Sequence, residues 1–277
     1  MKQGRISQTA LKVAHNLVTL SAKDDWAQRL PTGLAEVSER LLQASGSPGM
    51  GPRMMRISKG PWMIRAYKLQ DFLMPGQFEG FGYRKIFVQE QVEAAIEHGA
   101  RQVLFTGAGF DTLCLRIAPQ HPNVQFIELD HPATSAAKAK GIAIVGQPTN
   151  MFQIAADLGE RPLSKVLSED GRWDTLLPSV LVAEGLFQYL TDEEVRGLLL
   201  EAAACTSIGS RFLFTHARPG YRKLVTFLTG LVSEPWKSAV KSEDLPAYVE
   251  ETGWKIISDV DNDEAHGVER YAVAERC

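Results

Sequence analysis

After about residue 84 the chain alternates between short strand patterns and helical patterns, and this alternation restricts the fold more than any other feature. Apolar runs typical of buried parallel strands occur at residues 102–105, 124–130, 151–154, 180–183 and 211–215. Helical patterns separate them, and one begins at Thr191, which has capping-box spacing to Glu194. Residues 254–258 and 268–274 flank an acidic turn and predict a hairpin. We therefore expect an α/β fold: an open, mostly parallel sheet with helices on both faces and one antiparallel strand at or near an edge.

The first 83 residues do not alternate between strand and helix patterns. They show helical patterns interrupted by glycine and proline. The stretch 54–83 is rich in Met, Trp, Phe and Tyr, which suits either a packing layer or a lid over a ligand site. We therefore divide the chain into an N-terminal helical or lid region, residues 1–83, and a core, residues 84–277. Residues 216–246 are expected to form an insertion at the substrate pocket.

Composition excludes several classes of protein. There are 30 basic and 33 acidic residues, a net charge of −3, and no block of like charges, so neither a nucleic acid nor a membrane partner is expected. The three cysteines lie far apart and the six histidines lack metal-ligand spacing, so we expect no disulfide framework and no metal site. The N-terminal segment resembles an amphipathic helix rather than a signal peptide, which predicts a cytoplasmic protein.

The first predicted strand of the core ends in a glycine-rich turn, Thr106-Gly107-Ala108-Gly109-Phe110-Asp111-Thr112. Two glycines spaced by one residue let the backbone turn tightly and approach a ligand ahead of a helix. A dinucleotide fingerprint would have a third glycine at the position of Thr112. The turn therefore predicts a nucleotide-type site and weakens, without excluding, an NAD-dependent oxidoreductase.

Carboxylates follow the next three strands. Glu128 and Asp130 point to one face at the end of the second strand, where an acid is placed to accept hydrogen bonds from ribose hydroxyls. Asp157 follows the third strand and suits either a base contact or a helix N-cap. Glu184 directly follows an apolar run and needs a partner or a ligand, because a buried unpaired charge is costly.

Taken in order, the segments TGAGFDTLCLRI, FIELDHPATSAAKAKGI, LVAEGLFQYLTDEEV and RYAVAER resemble the leucine carboxyl methyltransferase family. This family belongs to the class I S-adenosylmethionine-dependent methyltransferases and includes bacterial polyketide O-methyltransferases of secondary metabolism. The resemblance is strong from about residue 83 to about residue 210. It implies a Rossmann-like, mostly parallel seven-stranded sheet with an N-terminal helical lid.

The resemblance also implies roles for residues at matching positions. Arg84 would hold the methionine carboxylate of the cofactor, Asp130 the ribose hydroxyls, and Glu184 would lie near the methionine amino group and sulfonium. Asp157 and Leu158 would contact the adenine, and Tyr189 would lie near the acceptor. The full predicted cofactor-binding set is Arg84, Gly107, Gly109, Asp111, Asp130, Asp157, Leu158 and Glu184.

The function expected from the resemblance is S-adenosylmethionine-dependent O-methylation, with S-adenosylhomocysteine as product. A carboxylate of a small molecule or peptide is the first candidate acceptor, because an ionised acid needs no general base, and no His–Asp pairing stands at a recognisable spacing. A hydroxyl or phenol acceptor stays open, with Tyr189, His131 and His216 as candidate catalytic residues. An NAD-dependent oxidoreductase, a nucleic acid methyltransferase and a non-catalytic cofactor-binding protein are the alternatives. An apolar helical stretch at 221–232 suits a pocket wall or a homodimer contact.

Overall fold

The computed structural model describes residues 4–73, 76–217, 236–237, 243–260 and 269–277. Its centre is one sheet of seven strands in the order β3-β2-β1-β4-β5-β7-β6. The strands are β1 Gln102–Thr106, β2 Gln125–Asp130, β3 Met151–Ala155, β4 Ser179–Ala183, β5 Arg211–Ala217, β6 Trp254–Val260 and β7 Glu269–Arg276. The predicted core strands are therefore confirmed, with differences of one or two residues at their ends.

Strand order changes direction at β1, which pairs in parallel with β2 on one side and with β4 on the other. In open α/β sheets this switch point opens a crevice at the carboxyl ends of the strands. β7 inserts antiparallel between β5 and β6. The expected mostly parallel sheet with one antiparallel strand near an edge is confirmed, and the crevice at β1 and β4 positions the candidate site.

Helices cover both faces of the sheet. They are α1 Gln8–Leu20, α2 Leu34–Ala44, α3 Pro52–Ser58, α4 Pro61–Leu73, α5 Gln77–Glu97, α6 Leu113–Ile117, α7 Pro132–Val145, α8 Leu163–Asp170, α9 Asp192–Ala204 and α10 Leu245–Glu250. The expected capping box is present at α9, where Thr191 and Glu194 satisfy each other's backbone N–H groups. Among the residues described above, no helix is long and apolar enough to cross a bilayer.

Each face of the sheet has its own apolar core. Val103, Phe105 and Phe126 pack against α1, α5 and α7, whereas Leu104, Ile127 and Phe212 pack against α8 and α9. Alternate residues of a strand point to opposite faces, so neighbouring positions of β1 belong to different cores. A third apolar cluster, which includes Leu20 and Trp26, joins α1 to the N-terminal end of α5.

The predicted division between residues 83 and 84 falls inside α5, which is one continuous helix of 21 residues. The N-terminal helices therefore join the core through a shared helix rather than a linker. The sequence could not show this because Gly80 and Gly82 interrupt the apolar pattern, yet both lie within the helix. The acidic turn at 261–267, the stretch 221–232 and most of the predicted insertion at 216–246 lie outside the described residues.

Candidate active site

The glycine-rich turn follows β1 at the switch point. Gly107 and Gly109 have φ values of +66° and +49°, a left-handed conformation that glycine adopts without strain. A Cβ at Gly107 would lie 3.1 Å from Leu186, and one at Gly109 would lie 2.9 Å from Cβ of Ala10 in α1. The backbone of this turn is therefore closely covered by α1 and by the loop after β4.

Asp130 at the end of β2 is tied to this turn. Its Oδ2 accepts a hydrogen bond from the backbone N of Gly109 at 2.5 Å, and its Oδ1 accepts one from the backbone N of His131 at 2.6 Å. Burial raises the pKa of Asp130, against the effect of these two hydrogen bonds. The carboxylate is fixed beside the glycines by two backbone donors, and each oxygen keeps a second lone pair for a ligand hydroxyl.

Glu128 lies on the same face of β2 but serves a different purpose. It forms an ion pair with Lys138 of α7, with Oε2 and Nζ 2.5 Å apart, and both side chains are buried. Burial raises the pKa of Glu128 to about 7, although Lys138 acts in the opposite direction. This pair ties β2 to α7.

Glu184, which directly follows β4, meets two adjacent cations of α5. Its Oε1 accepts hydrogen bonds from Nε of Arg84 at 2.7 Å and from Nζ of Lys85 at 2.5 Å. Arg84 Nη1 also reaches Oε2 of Glu269 on β7 at 2.5 Å, and Lys85 bonds to Asp111 of the glycine-rich turn. All five side chains are buried. This charged cluster, defined by Arg84, Lys85, Asp111, Glu184 and Glu269, has two cations and three carboxylates, so it carries one negative charge in excess.

Asp111 joins the charged cluster to the turn, since its Oδ1 accepts the backbone N–H of Leu113 at 2.6 Å. Burial alone would raise the pKa of Asp111, but Lys85 and Lys138 lower it to about 2. The structure thus gives Asp111 a role in holding the turn against α5.

Two buried acceptors in this region lack a hydrogen-bond partner among the described residues: Oε2 of Glu184 and Oε1 of Gln188. Gln188 donates through Nε2 to Oε1 of Glu269 at 2.6 Å, so both acceptors adjoin the charged cluster. Buried acceptors without donors are costly in a protein interior. The chemistry of this arrangement fits the ammonium group of an amino acid, which offers three N–H donors.

The remaining predicted site residues lie along the same edge. His131 caps α7, with Nδ1 accepting the backbone N–H of Ala133 at 3.3 Å, and its Nε2 lies 3.6 Å from Oδ2 of Asp157. Asp157 also accepts the backbone N–H of Gly159 at 2.9 Å, and Leu158 packs on the α8–α9 core. Tyr189 ends the short 3₁₀ helix after β4 and is half-buried.

His216 lies near the carboxyl end of β5, one strand beyond Glu184. Its Nε2 lies 3.2 Å from Oδ1 of Asp259 on β6, and its Nδ1 is buried without a partner among the described residues. Burial would raise the pKa of Asp259, but His216 and Arg270 hold it below the ordinary value. No His–Asp pair stands at a recognisable spacing in the sequence, but the fold forms two such pairs in space. His131–Asp157 and His216–Asp259 are both pairs that the fold brings together across long sequence separations.

Sequence reasoning missed Lys85, Gln188, Glu269, Asp259 and Lys138. Lys85 could have been found, since it directly follows Arg84 and Glu184, predicted to be buried, needs a cation to neutralise it. The sequence gave no indication of Glu269 or Asp259, because the antiparallel strands β7 and β6, respectively, bring them to this edge of the sheet. Among the residues that the structure describes, no group of three or more His, Cys, Asp or Glu side chains is arranged to hold a metal ion.

The sheet order, the glycine-rich turn after β1 and the acids after β2 and β4 together define a class I methyltransferase fold, as predicted. The family model described as leucine carboxyl methyltransferase matches residues 13–203. The chain belongs to the leucine carboxyl methyltransferase family, and the cofactor of this class is S-adenosylmethionine.

Curated relatives are named as methyltransferases of this class, and solved structures share the fold. A protein of Parafrankia sp. (strain EAN1pec), named as a candidate S-adenosyl-L-methionine-dependent methyltransferase, is 27% identical over 179 residues, or 62% of this chain and 56% of that protein. A similarly named protein of Bacillus subtilis (strain 168) is 25% identical over 177 residues, or 60% of this chain and 58% of its own. The chain thus spans less than two thirds of the length of these curated relatives.

The solved structure of a candidate methyltransferase from Thermobifida fusca YX superposes with a TM-score of 0.62 at 16% identity, covering 91% of this chain and 97% of that one. A DUF574 family protein from Streptomyces avermitilis MA-4680 gives a TM-score of 0.62 at 14% identity, covering 87% and 97%. At these identities the likeness concerns the fold.

Proposed function

We propose that this chain transfers the methyl group of S-adenosylmethionine to an oxygen atom of a small molecule or peptide and releases S-adenosylhomocysteine. The observation that supports this most is the charged cluster beside the glycine-rich turn, where Glu184 and Gln188 have buried acceptors without donors among the residues that the structure describes. A ligand made of an amino acid and a nucleoside matches this edge of the sheet. The charged groups at β4 and α5 suit the amino acid, and the fixed carboxylate of Asp130 on β2 suits the nucleoside.

When bound, the cofactor supplies a methyl group that its sulfonium already activates, so the chain mainly has to bind, orient and exclude water. Arg84 and Lys85 are the cations for the methionine carboxylate. Glu184 and Gln188 are the acceptors for its ammonium, and Asp130 is the acceptor for the ribose hydroxyls. The excess negative charge of the cluster favours a cationic cofactor over a neutral product.

Arg84 does not act as a free clamp in this arrangement. Its Nε and Nη1 donate to Glu184 and Glu269, respectively. Nη2 is therefore the guanidinium nitrogen that is left to donate to a ligand carboxylate. The two carboxylates therefore orient Arg84 rather than compete for all of its donors.

A carboxylate is our first candidate acceptor. The family's description supports it, and an acid that is ionised at neutral pH needs no proton removed before transfer. A hydroxyl or phenol is the second candidate, and one observation favours it. The His216–Asp259 pair supplies an oriented imidazole at the carboxyl end of the strand next to β4, and its Nδ1 has no partner within the described part of the chain.

Methyl-labelled S-adenosylmethionine incubated with extract fractions of small molecules and of peptides tests the proposal. We expect label in a product made by the wild type and not by Glu184→Gln, which keeps the size of the side chain. Mild alkali should then release volatile labelled methanol from an ester. A base-stable label whose formation is lost in His216→Asn would instead support the hydroxyl acceptor. No transfer to any fraction, despite cofactor binding, would contradict the activity.

A further inference from the structure

Helices α3 and α4 form a hairpin, residues 52–73, whose composition differs from that of the whole chain. It contains five basic residues and one acidic residue, whereas the chain has a net charge of −3. The basic residues are Arg53, Arg56, Lys59, Arg65 and Lys68. Of these, Lys59 pairs with Glu39 of α2, and the other four form no ion pair within the described part of the chain. The hairpin is thus a local concentration of positive charge, in which Lys68 also lies close enough to Asp25 to help lower the pKa of that carboxyl.

The same hairpin exposes large apolar side chains. Trp62 is 80% exposed and Leu69 is 73% exposed, and Met54 and Ile57 are exposed as well. Trp62, Ala66 and Leu69 follow one another at helical spacing along one face of α4, with Arg65 beside them. An exposed apolar stripe of this kind marks an interaction surface rather than ordinary scattered exposure.

The inner sides of both helices contact a single residue of α1. His15 bonds through Nδ1 to the hydroxyl of Tyr67 on α4 at 2.9 Å, and through Nε2 to the hydroxyl of Ser58 on α3 at 2.5 Å. Burial lowers the pKa of His15 and so favours the neutral form of the ring. The inner sides of α3 and α4 meet at His15. The opposite, outer sides of the two helices carry the basic residues and the exposed apolar residues, and these face away from the protein.

We propose that the outer side of this hairpin binds the surface of an anionic lipid bilayer. Basic side chains supply attraction to lipid headgroups, and Trp, Ile, Met and Leu between them insert at the level of the headgroups, as in interfacial amphipathic helices. The expectation of no membrane partner was based on the net charge of the whole chain. That net charge of −3 does not reflect the excess of basic residues in the hairpin.

Two other occupants fit less well. A second copy of the chain related by a twofold axis would bring identical basic residues face to face, which is repulsive. A nucleic acid would satisfy the charges but would leave the exposed stripe of Trp62, Ala66 and Leu69 without a role, because phosphate contacts need no apolar component.

Co-sedimentation of the full chain with vesicles tests the proposal. We expect binding to vesicles of equal parts phosphatidylglycerol and phosphatidylcholine, little binding to phosphatidylcholine alone, and weaker binding at high salt. The triple variant Arg53→Gln, Arg56→Gln, Arg65→Gln should weaken partitioning on the order of a hundredfold. The matched control Lys140→Gln, Lys165→Gln, Lys255→Gln changes net charge equally on other exposed surfaces and should have a much smaller effect.

A second pair of variants isolates the apolar part. Trp62→Ser with Leu69→Ser should weaken partitioning at least tenfold, whereas Leu176→Ser with Ile208→Ser, at positions 82% and 78% exposed, should leave it unchanged. Because all of these side chains are exposed, the variants should unfold at the wild-type temperature. Failure of the wild type to bind anionic vesicles, or equal losses in test and control variants, would overturn the proposal. Retention on heparin with no effect of the apolar variant on vesicle binding would identify a polyanion site instead.

Discussion

The carboxyl edge of the sheet and the N-terminal helical layer, α1 to α4, are held together by different interactions. At the edge, Arg84 and Lys85 contact carboxylates that are 26 to 185 residues away in sequence. In the layer, α1 packs apolar side chains such as Leu17 and Leu20 against Trp26 and Phe78. The edge thus depends on exact pairing of buried charges, whereas the layer depends on apolar burial and leaves its charges outside. Substitutions in the two regions should therefore have different signatures.

The largest effect is expected when the charged cluster loses a cation. Arg84→Met keeps the apolar stem but leaves Glu184 and Glu269 buried with one partner fewer, so it should lower the free energy of unfolding by about 3–5 kcal/mol. Arg40→Met is the control in the N-terminal layer, because Arg40 pairs with Glu36 on an exposed helix face. That change should cost at most about 0.5 kcal/mol. Urea denaturation measures both, and a similar loss in the two variants would contradict the comparison.

A pH effect of similar size should come from Glu128. Its pKa is raised from 4.5 to about 7, so between these pH values the folded state binds more protons than the unfolded state. Stability from this group is therefore lost as pH rises through that window, by an amount on the order of 3 kcal/mol. Glu128→Gln should remove this slope. We would measure unfolding free energies from pH 4.5 to 7.5, and parallel curves for wild type and variant would show that Glu128 titrates normally.

Removing the carboxylate of Asp130 should act on binding more than on folding. Asp130→Ala loses charge-assisted hydrogen bonds to the ligand. The binding free energy of S-adenosylhomocysteine should weaken by about 1.5–3 kcal/mol, which lowers the affinity roughly 10-fold to 150-fold. Asp170→Ala is a suitable control, since Asp170 pairs with Arg172 away from the site. Calorimetry should find that Asp170→Ala binds S-adenosylhomocysteine with the affinity of the wild type. Equal affinity in Asp130→Ala and wild type would remove β2 from the proposed site.

The smallest effect concerns the N-terminal layer itself. Residues 54–83 are predicted to act as a lid, and Ala10 of α1 already contacts Gly109 of the glycine-rich turn. Binding of S-adenosylhomocysteine should therefore slow hydrogen exchange in α1 and in residues 54–83, without a large change in global stability. Identical exchange with and without ligand would make the layer a packing element alone.

Periodicity was sufficient to predict the strands and the helix after Thr191, because these depend on local pattern. The sequence also indicated that Glu184 needs a partner, but it could not supply Glu269, which arrives from the antiparallel strand β7. Likewise, His216 and Asp259 are 43 positions apart and meet only through the sheet. The predicted boundary between residues 83 and 84 lies inside α5, because Gly80 and Gly82, which suggest a break in the sequence, are part of the helix, where packing overrides their low helix propensity.

The central claim is that the charged cluster and Asp130 together bind S-adenosylmethionine. Isothermal titration calorimetry of the wild type and Glu184→Gln with S-adenosylmethionine, S-adenosylhomocysteine, NAD and NADP tests it most directly. We predict that the wild type binds the first two and neither dinucleotide, and that Glu184→Gln weakens both by at least about tenfold, as expected for losing a charged hydrogen bond. Binding of NAD, no binding of S-adenosylmethionine, or full affinity in Glu184→Gln would contradict the account.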